Sequence, residues 1–152
     1  MLKVTKFGGS SVSNAQQFKK VKTIIDSDSS RRIVVISAAG KRDAKDHKLT
    51  DLLYLCHAHL TYGVPCDDIF EAITERFTEI RDSLGLSYKI EEDLDQLKKT
   101  LNKDMSVDEL VSRGEFFTAR LMAEYLGFYF LDAKDCIELI VKNEYPIHQI
   151  SQ

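Results

Sequence analysis

The chain is poor in the residues that would tie it together covalently or anchor it elsewhere. Of 152 residues only three are cysteine: Cys56, Cys66 and Cys136. The number is odd and no C-x-x-C pair is present, so neither a disulfide framework nor a zinc knuckle is indicated. Three thiols in this pattern suit a reducing, cytoplasmic setting, buried or half-buried. His57 and His59 lie two apart on a predicted helix and face different directions, which removes them as joint metal ligands. There is no surplus of positive charge: 21 Lys and Arg against 24 Asp and Glu leave a net charge of −3. A binder of nucleic-acid phosphates needs the opposite balance, so no nucleic-acid partner is expected. No apolar run is long enough to cross a bilayer, so no membrane partner is expected either. Lys3, Lys6 and the early glycines interrupt the N-terminus before a signal-peptide core forms. Internal repeats and low-complexity tracts are also missing.

What is present is the composition of a globular domain, 43% hydrophobic and 30% charged, with length enough to bury a core. The pattern predicts a strand over Lys3–Phe7, a helix over Asn14–Asp26 and a strand over Ile33–Ser37. A polar loop, Ala38–Lys48, leads to a helix over Leu49–Thr61. Beyond Pro65, Ile69, Phe70, Ile73, Phe77, Ile80 and Leu84 recur at helical spacing, as do Ile90, Leu94, Leu97 and Leu101. Ser106 is a good cap for one long helix, Val107–Leu126, which Gly127 ends. "FYFLDA" and "CIELIV" read as further short strands. The β-α-β start predicts an α/β fold with a mostly parallel sheet. "RIVVIS", apolar almost throughout, has the look of a central strand covered on both faces. Three or four strands for five helices make a thin sheet, and the chain closes on "NEYPIHQISQ" without a capping element. A piece of a larger protein is therefore expected.

Three short motifs can carry chemistry. "KFGGSSV", Lys6–Val12, joins a strand to a helix through adjacent glycines; Ser13–Gln16 has capping-box spacing. Such a turn presents free backbone N–H groups to an anion, or is simply a tight connection that needs glycine. It lacks the P-loop order, in which lysine follows the glycines, and it lacks G-x-G-x-x-G. Lys6 instead precedes Gly8 and Gly9 at the strand's carboxyl end, an arrangement suited to the β- and γ-phosphates of a nucleotide. "LVSRGE" places Glu115 at the edge of an apolar helix face, about 40° from Val111 and about 20° from Met122 at 3.6 residues per turn. A carboxylate there reaches water or meets a partner. Gly114 beside it costs the helix roughly 1 kcal/mol relative to alanine, which points to a compensating close approach. In "KLTDLL", Thr50 and Asp51 suit a helix's first turn. Ser37, at the end of a buried strand, sits where ligands of open parallel sheets bind.

In this order, "KFGGSSV", "VVIS" with "TDLL", and "LVSRGE" resemble the aspartokinases, a branch of the amino acid kinase family. The likeness runs from Lys6 through "FLDAKD" to the chain end. It implies a three-layer α/β/α sandwich with a mostly parallel sheet, here incomplete. Only the N-terminal part of a kinase domain is matched over residues 1–152, without the later kinase half or the ACT regulatory modules. The implied reaction is phosphoryl transfer from ATP, with Mg2+ held mainly through the nucleotide, to the side-chain carboxylate of L-aspartate. Its product is 4-phospho-L-aspartate, the first step towards lysine, threonine and methionine.

By the same resemblance Lys6 is the catalytic cation, and Phe7, Gly8, Gly9 and Ser10 line the phosphates. Glu115 receives the α-ammonium of aspartate, and Thr50 and Ser37 contact the substrate. No side chain is assigned to a metal, and a homo-oligomer is implied. The loop "AGKRDAKDHK" is read as a mobile segment near the substrate side whose basic residues are solvated. The fragment alone is expected to be inactive. Two other readings stay open: a glutamate- or carbamate-type sister kinase, which "LVSRGE" disfavours, and a non-catalytic assembly module. The second would use the helix around Phe116–Tyr125, where Phe116 lies opposite the apolar stripe as an exposed aromatic.

Overall fold

The computed structural model describes residues 1–137. Strand β1 (Lys3–Phe7) is followed by a short 3-10 turn (Gly9–Val12) and helix α1 (Ala15–Asp26), which returns the chain to strand β2 (Arg31–Ile36). The two strands pair in parallel, with Val4 beside Ile33 and Phe7 beside Ile36. Parallel pairing requires a crossover, and α1 supplies it. Its cap is Asn14, whose side chain accepts from the Gln17 N–H at 3.0 Å. Ser13, the capping-box candidate, instead donates to the Ser10 carbonyl. Four helices follow β2 as expected: α2 (Leu49–Thr61), α3 (Asp67–Leu84), α4 (Ile90–Thr100) and the C-terminal helical stretch.

That last stretch is two helices, not one. Helix α5 (Val107–Val111) and helix α6 (Arg113–Leu126) meet at Ser112. The Ser112 hydroxyl donates back to the Glu109 carbonyl at 2.9 Å, and this side-chain bond competes with the regular ladder where the helix breaks. Ser106 caps α5 and Gly127, at φ 69°, ends α6 in the left-handed conformation.

The core lies between the helices and one face of the sheet. Phe18 and Val21 of α1, Leu49 and Leu53 of α2, Ile73 and Phe77 of α3, Ile90 and Leu94 of α4, and Leu121 and Met122 of α6 are all fully enclosed. Phe77 and Phe117 meet edge-to-face at 5.3 Å, locking α3 to α6. Helix α6 in turn lies against β2.

Three expectations change. β2 is covered on one face only among the described residues: Ile36 is buried and Val34 half-buried, while Ile33 and Val35 point outward with Val4. The apolar run is therefore an alternating strand whose second face is equally apolar. "FYFLDA" forms no ladder. Phe128 and Phe130 turn inward and Tyr129 and Leu131 outward, as in a strand. A cleft of about 240 Å³ nevertheless separates them from Arg32, Ile33 and Val34 of β2, and a strand exists only by its partner's hydrogen bonds. Phe116 is half-buried, held edge-on between Phe117 and Phe130 at 5.1 and 5.2 Å with the Arg113 guanidinium over its ring. Its second contact is with its own chain.

Cys56 and Cys66 are buried as expected, whereas Cys136 is exposed. The "CIELIV" strand lies, from residue 138 onward, outside the described residues. Among the described residues no helix is long and apolar enough to cross a membrane. Because Phe77 fills the junction of α3 and α6, Phe77→Ala should lower the unfolding free energy by about 3–5 kcal/mol, measured by urea denaturation.

Candidate active site

The carboxyl ends of β1 and β2 lie side by side, so the loops leaving them meet. The Ser37 N–H donates to the Phe7 carbonyl at 3.1 Å and carries the ladder one residue past β2. Immediately beyond, the two chains cross at Gly9 and Gly40. The Gly40 N–H donates to the Gly9 carbonyl at 2.9 Å. A Cβ on Gly9 would stand 2.7 Å from the Ala38 carbonyl oxygen, and one on Gly40 would stand 2.7 Å from the Gly9 carbonyl carbon. Neither position has room for a side chain. Gly8, by contrast, is extended (φ −78°, ψ 169°) and faces open space. Of the glycine pair, then, Gly9 is fixed by backbone contact and Gly8 is not.

The third wall is α6. A Cβ on Gly114 would meet the Ala38 methyl at 2.9 Å and Leu53 Cδ1 at 3.1 Å. This is the close approach that offsets glycine's helix cost. It brings Glu115, the next residue, to the cleft. Thr118, fully buried, completes the contact: its hydroxyl donates to the Gly114 carbonyl at 2.7 Å and accepts from the Ala39 N–H at 3.2 Å. The fourth wall is the start of α2, where the Leu49 N–H donates to the Ala39 carbonyl at 3.1 Å. Asp51, in the first turn, accepts from the Lys48 N–H.

The result is an open cleft of about 510 Å³ lined by Gly9, Ser10, Ser37, Thr50 and Glu115, together with the 38–41 segment and Lys48. Five of the residues singled out from sequence thus converge from four separate segments. Glu115 is exposed into it. Lys6, Phe7 and Gly8 do not line it. Phe7 is a core residue, 8% exposed, and Lys6, one position earlier on the strand, projects from the opposite, uncovered face of the sheet.

Two further lysines border the cleft. Lys41 and Lys48 line it beside Thr50 and Glu115, and both are exposed, in keeping with the solvated reading of the loop's basic residues. Their adjacency to Gly40 and Thr50 is the sequence signal for that place. Nor does the loop between them hang free. Arg42 binds Asp46 at 3.1 Å and Glu79 of α3 at 2.6 Å, and Arg76 of α3 binds Asp46 at 2.8 Å. Burial works against ionisation of Asp46. The hydrogen bonds from Arg42 and the nearby Arg76 charge nevertheless hold its carboxyl down at about 2.

Residues 1–149 match the amino acid kinase family. The chain belongs to that family. It is 38% identical over 133 residues to aspartokinase 3 of Bacillus subtilis (strain 168), a match that takes in 84% of this chain and 29% of that protein. Among solved structures, the aspartate kinase of Clostridium acetobutylicum is 49% identical with a TM-score of 0.82, covering 86% of this chain and 30% of that one. Aspartokinase III of E. coli, solved with aspartate and ADP, is 28% identical with a TM-score of 0.67, covering 84% and 29%. The chain therefore spans about 30% of the length of these relatives. The α/β fold with its small parallel sheet is that of the aspartate kinases over this part.

The glycine crossing makes a sharp contrast measurable. Gly8→Ala should leave thermal stability nearly unchanged, whereas Gly9→Ala should cost about 1–3 kcal/mol through overpacking against Ala38. Thr118→Val, nearly isosteric, should cost about 1–3 kcal/mol by stranding the buried Ala39 N–H, read by the same unfolding assay.

Proposed function

We propose that this chain is the acceptor-side part of an aspartate kinase, which transfers the γ-phosphoryl group of ATP to the side-chain carboxylate of L-aspartate. The observation that carries the reading is the convergence of Gly9, Ser10, Ser37, Thr50 and Glu115 on one cleft at the carboxyl ends of two parallel strands. The E. coli relative was solved with aspartate and ADP, which supports the same pair of ligands here.

The residues fit a nucleotide's phosphates at one side of the cleft. The 3-10 turn starting at Gly9 leaves its first N–H groups without partners inside the turn, and the Gly9–Gly40 crossing fixes their direction. Gly8, with open space around it, lets a ligand come close to the backbone. Phe7 contributes its backbone only. Bound here as Mg·ATP, the nucleotide supplies the phosphoryl group. Lys6 lies outside the cleft lining near the end of β1, and its flexible stem is what would carry the ammonium round the strand's carboxyl end to offset charge on the transferring group. No residue of the described chain is assigned to Mg2+, which the nucleotide's phosphates would hold.

At the other side of the cleft, Glu115 pairs with the α-ammonium of aspartate, and the Thr50 and Ser37 hydroxyls donate to its carboxylates. Lys41 and Lys48 add positive charge along the same wall, favouring an acceptor with two carboxylates. The acceptor carboxylate is already ionised near neutral pH, so one of its oxygens attacks phosphorus directly and ADP leaves, with no base needed. The larger part of each relative has no counterpart in these 152 residues, and we assign the rest of the nucleotide pocket and any effector-binding module to that part. A homo-oligomer belongs to the same proposal.

Steady-state kinetics on the full-length protein test it. Lys6→Ala should lower kcat by about 100-fold or more, and Glu115→Gln should chiefly raise the KM for aspartate. Normal turnover by Lys6→Ala removes the phosphate assignment. The isolated 152-residue chain should form no aspartyl hydroxamate from ATP, aspartate and hydroxylamine.

A further inference from the structure

An arginine lies where α3 passes beneath the cleft, and nothing in the reaction as derived uses it. Arg76 is 3% exposed, on the same helix face as Ile73, Phe77 and Ile80. A buried guanidinium is costly unless its donors are met; here both terminal nitrogens are met, by one segment only, while Nε has no partner among the described residues. One terminal nitrogen donates to the Gly40 carbonyl at 2.6 Å. The other donates to the His47 carbonyl at 2.9 Å and lies 2.8 Å from the Asp46 carboxylate. Gly40 opens the loop and His47 closes it. Arg76 therefore holds both ends of one loop from below with a single planar group.

Those ends are the walls of the cleft. Gly40 is the residue that crosses Gly9, and two residues after Asp46 come Lys48 and the start of α2, which carries Thr50. Two backbone bonds mark the ends, Gly40 N–H to Gly9 and Leu49 N–H to Ala39. Arg42 reinforces the clamp by bridging Asp46 to Glu79, four residues before Ser83 and one turn beyond Glu75 on the same helix. Among the described residues nothing on the outer side of the loop does this work, since Asp43, Ala44 and Lys45 are exposed.

We propose that Arg76 is a positioning residue for the acceptor: by clamping Gly40, Asp46 and His47 it sets the distance between the Gly9–Gly40 crossing and Thr50, and so the width of the acceptor cleft. The proposal rests on the reading of that cleft as the aspartate site. It touches no substrate and takes no part in the chemistry. Lysine cannot replace it, because one ammonium at the end of a flexible stem does not reach carbonyls on both ends of the loop in a fixed fork.

The test compares wild type, Arg76→Lys and Arg76→Met in the full-length protein by steady-state kinetics, thermal unfolding and amide hydrogen exchange. Arg76→Lys keeps the charge and most of the volume, so it remains informative if Arg76→Met does not fold. Arg76→Lys should raise the KM for aspartate about ten-fold while the KM for ATP moves by less than about two-fold. Exchange at the Gly40 and Leu49 amides should quicken about ten-fold, with core amides of α3 and α6 unchanged. A folded Arg76→Lys protein with wild-type exchange at both amides overturns the proposal. So does a uniform change, with both KM values, kcat and all amides moving together, since that marks a merely structural arginine. If wild type does not phosphorylate aspartate, the acceptor reading falls, and exchange at Gly40 and Leu49 alone then decides whether the clamp exists.

Discussion

Two backbones passing within hydrogen-bonding distance at Gly9 and Gly40 hold the candidate site together. The contact is possible only because both residues lack a Cβ, and everything around it inherits its geometry. It joins the exit of β1 to the exit of β2 beyond the last rung of the sheet. It leaves Ala38 and Ala39 buried directly beneath, small enough for α6 to approach over Gly114. Gly9 and Gly114 thus both close on Ala38, and Gly9, Ala38, Ala39 and Gly40 line the cleft. Helix α2 is then seated by the Leu49–Ala39 bond, and Thr118 ties this segment to α6 by satisfying the Ala39 N–H.

The electrostatics follow from that packing. Small residues at the crossing leave no side chain to receive the polar groups of the 40–48 segment, so the segment is satisfied from α3 instead. Arg76 and Arg42 face Asp46 and Glu79, two positive and two negative groups, which makes the underside of the loop close to neutral. Lys41 and Lys48 stay on the upper side with Glu115. The loop separates a self-compensated layer from a cleft lined by Lys41, Lys48 and Glu115.

Much of this was legible in residue order. The helix spans of α1, α2, α3 and α4 follow from 3.6-residue spacing, and Gly127 marked its helix end because a left-handed residue costs glycine nothing. Glycine in an amphipathic helix announced the close approach at Gly114, since a stability cost needs an offset. What stayed hidden depends on partners distant in sequence. The break at Ser112 is a competition between two hydrogen bonds that spacing does not reveal. "FYFLDA" has the alternation of a strand, but a ladder needs a neighbour's backbone. The outward apolar face of β2 reads the same in sequence as a face that helices cover. Lys6 and Phe7 were grouped by adjacency, and a strand sends adjacent side chains to opposite faces. Arg76 did leave a trace: it falls about 60° from Ile73 and about 40° from Ile80 on the helical wheel, a charge inside an apolar stripe.

The 40–48 segment also bears on how this scaffold can change. Its base is pinched shut by the Gly9–Gly40 and Ala39–Leu49 bonds, and its flank is gripped from α3, while Asp43, Ala44 and Lys45 are exposed and bond only within the loop, Asp43 to Lys45 and Asp46. Length and composition at that tip are uncoupled from the floor below. It is a position at which the protein should accept an insertion, a fluorophore or a recognition tag beside the candidate cleft and leave the cleft's shape intact.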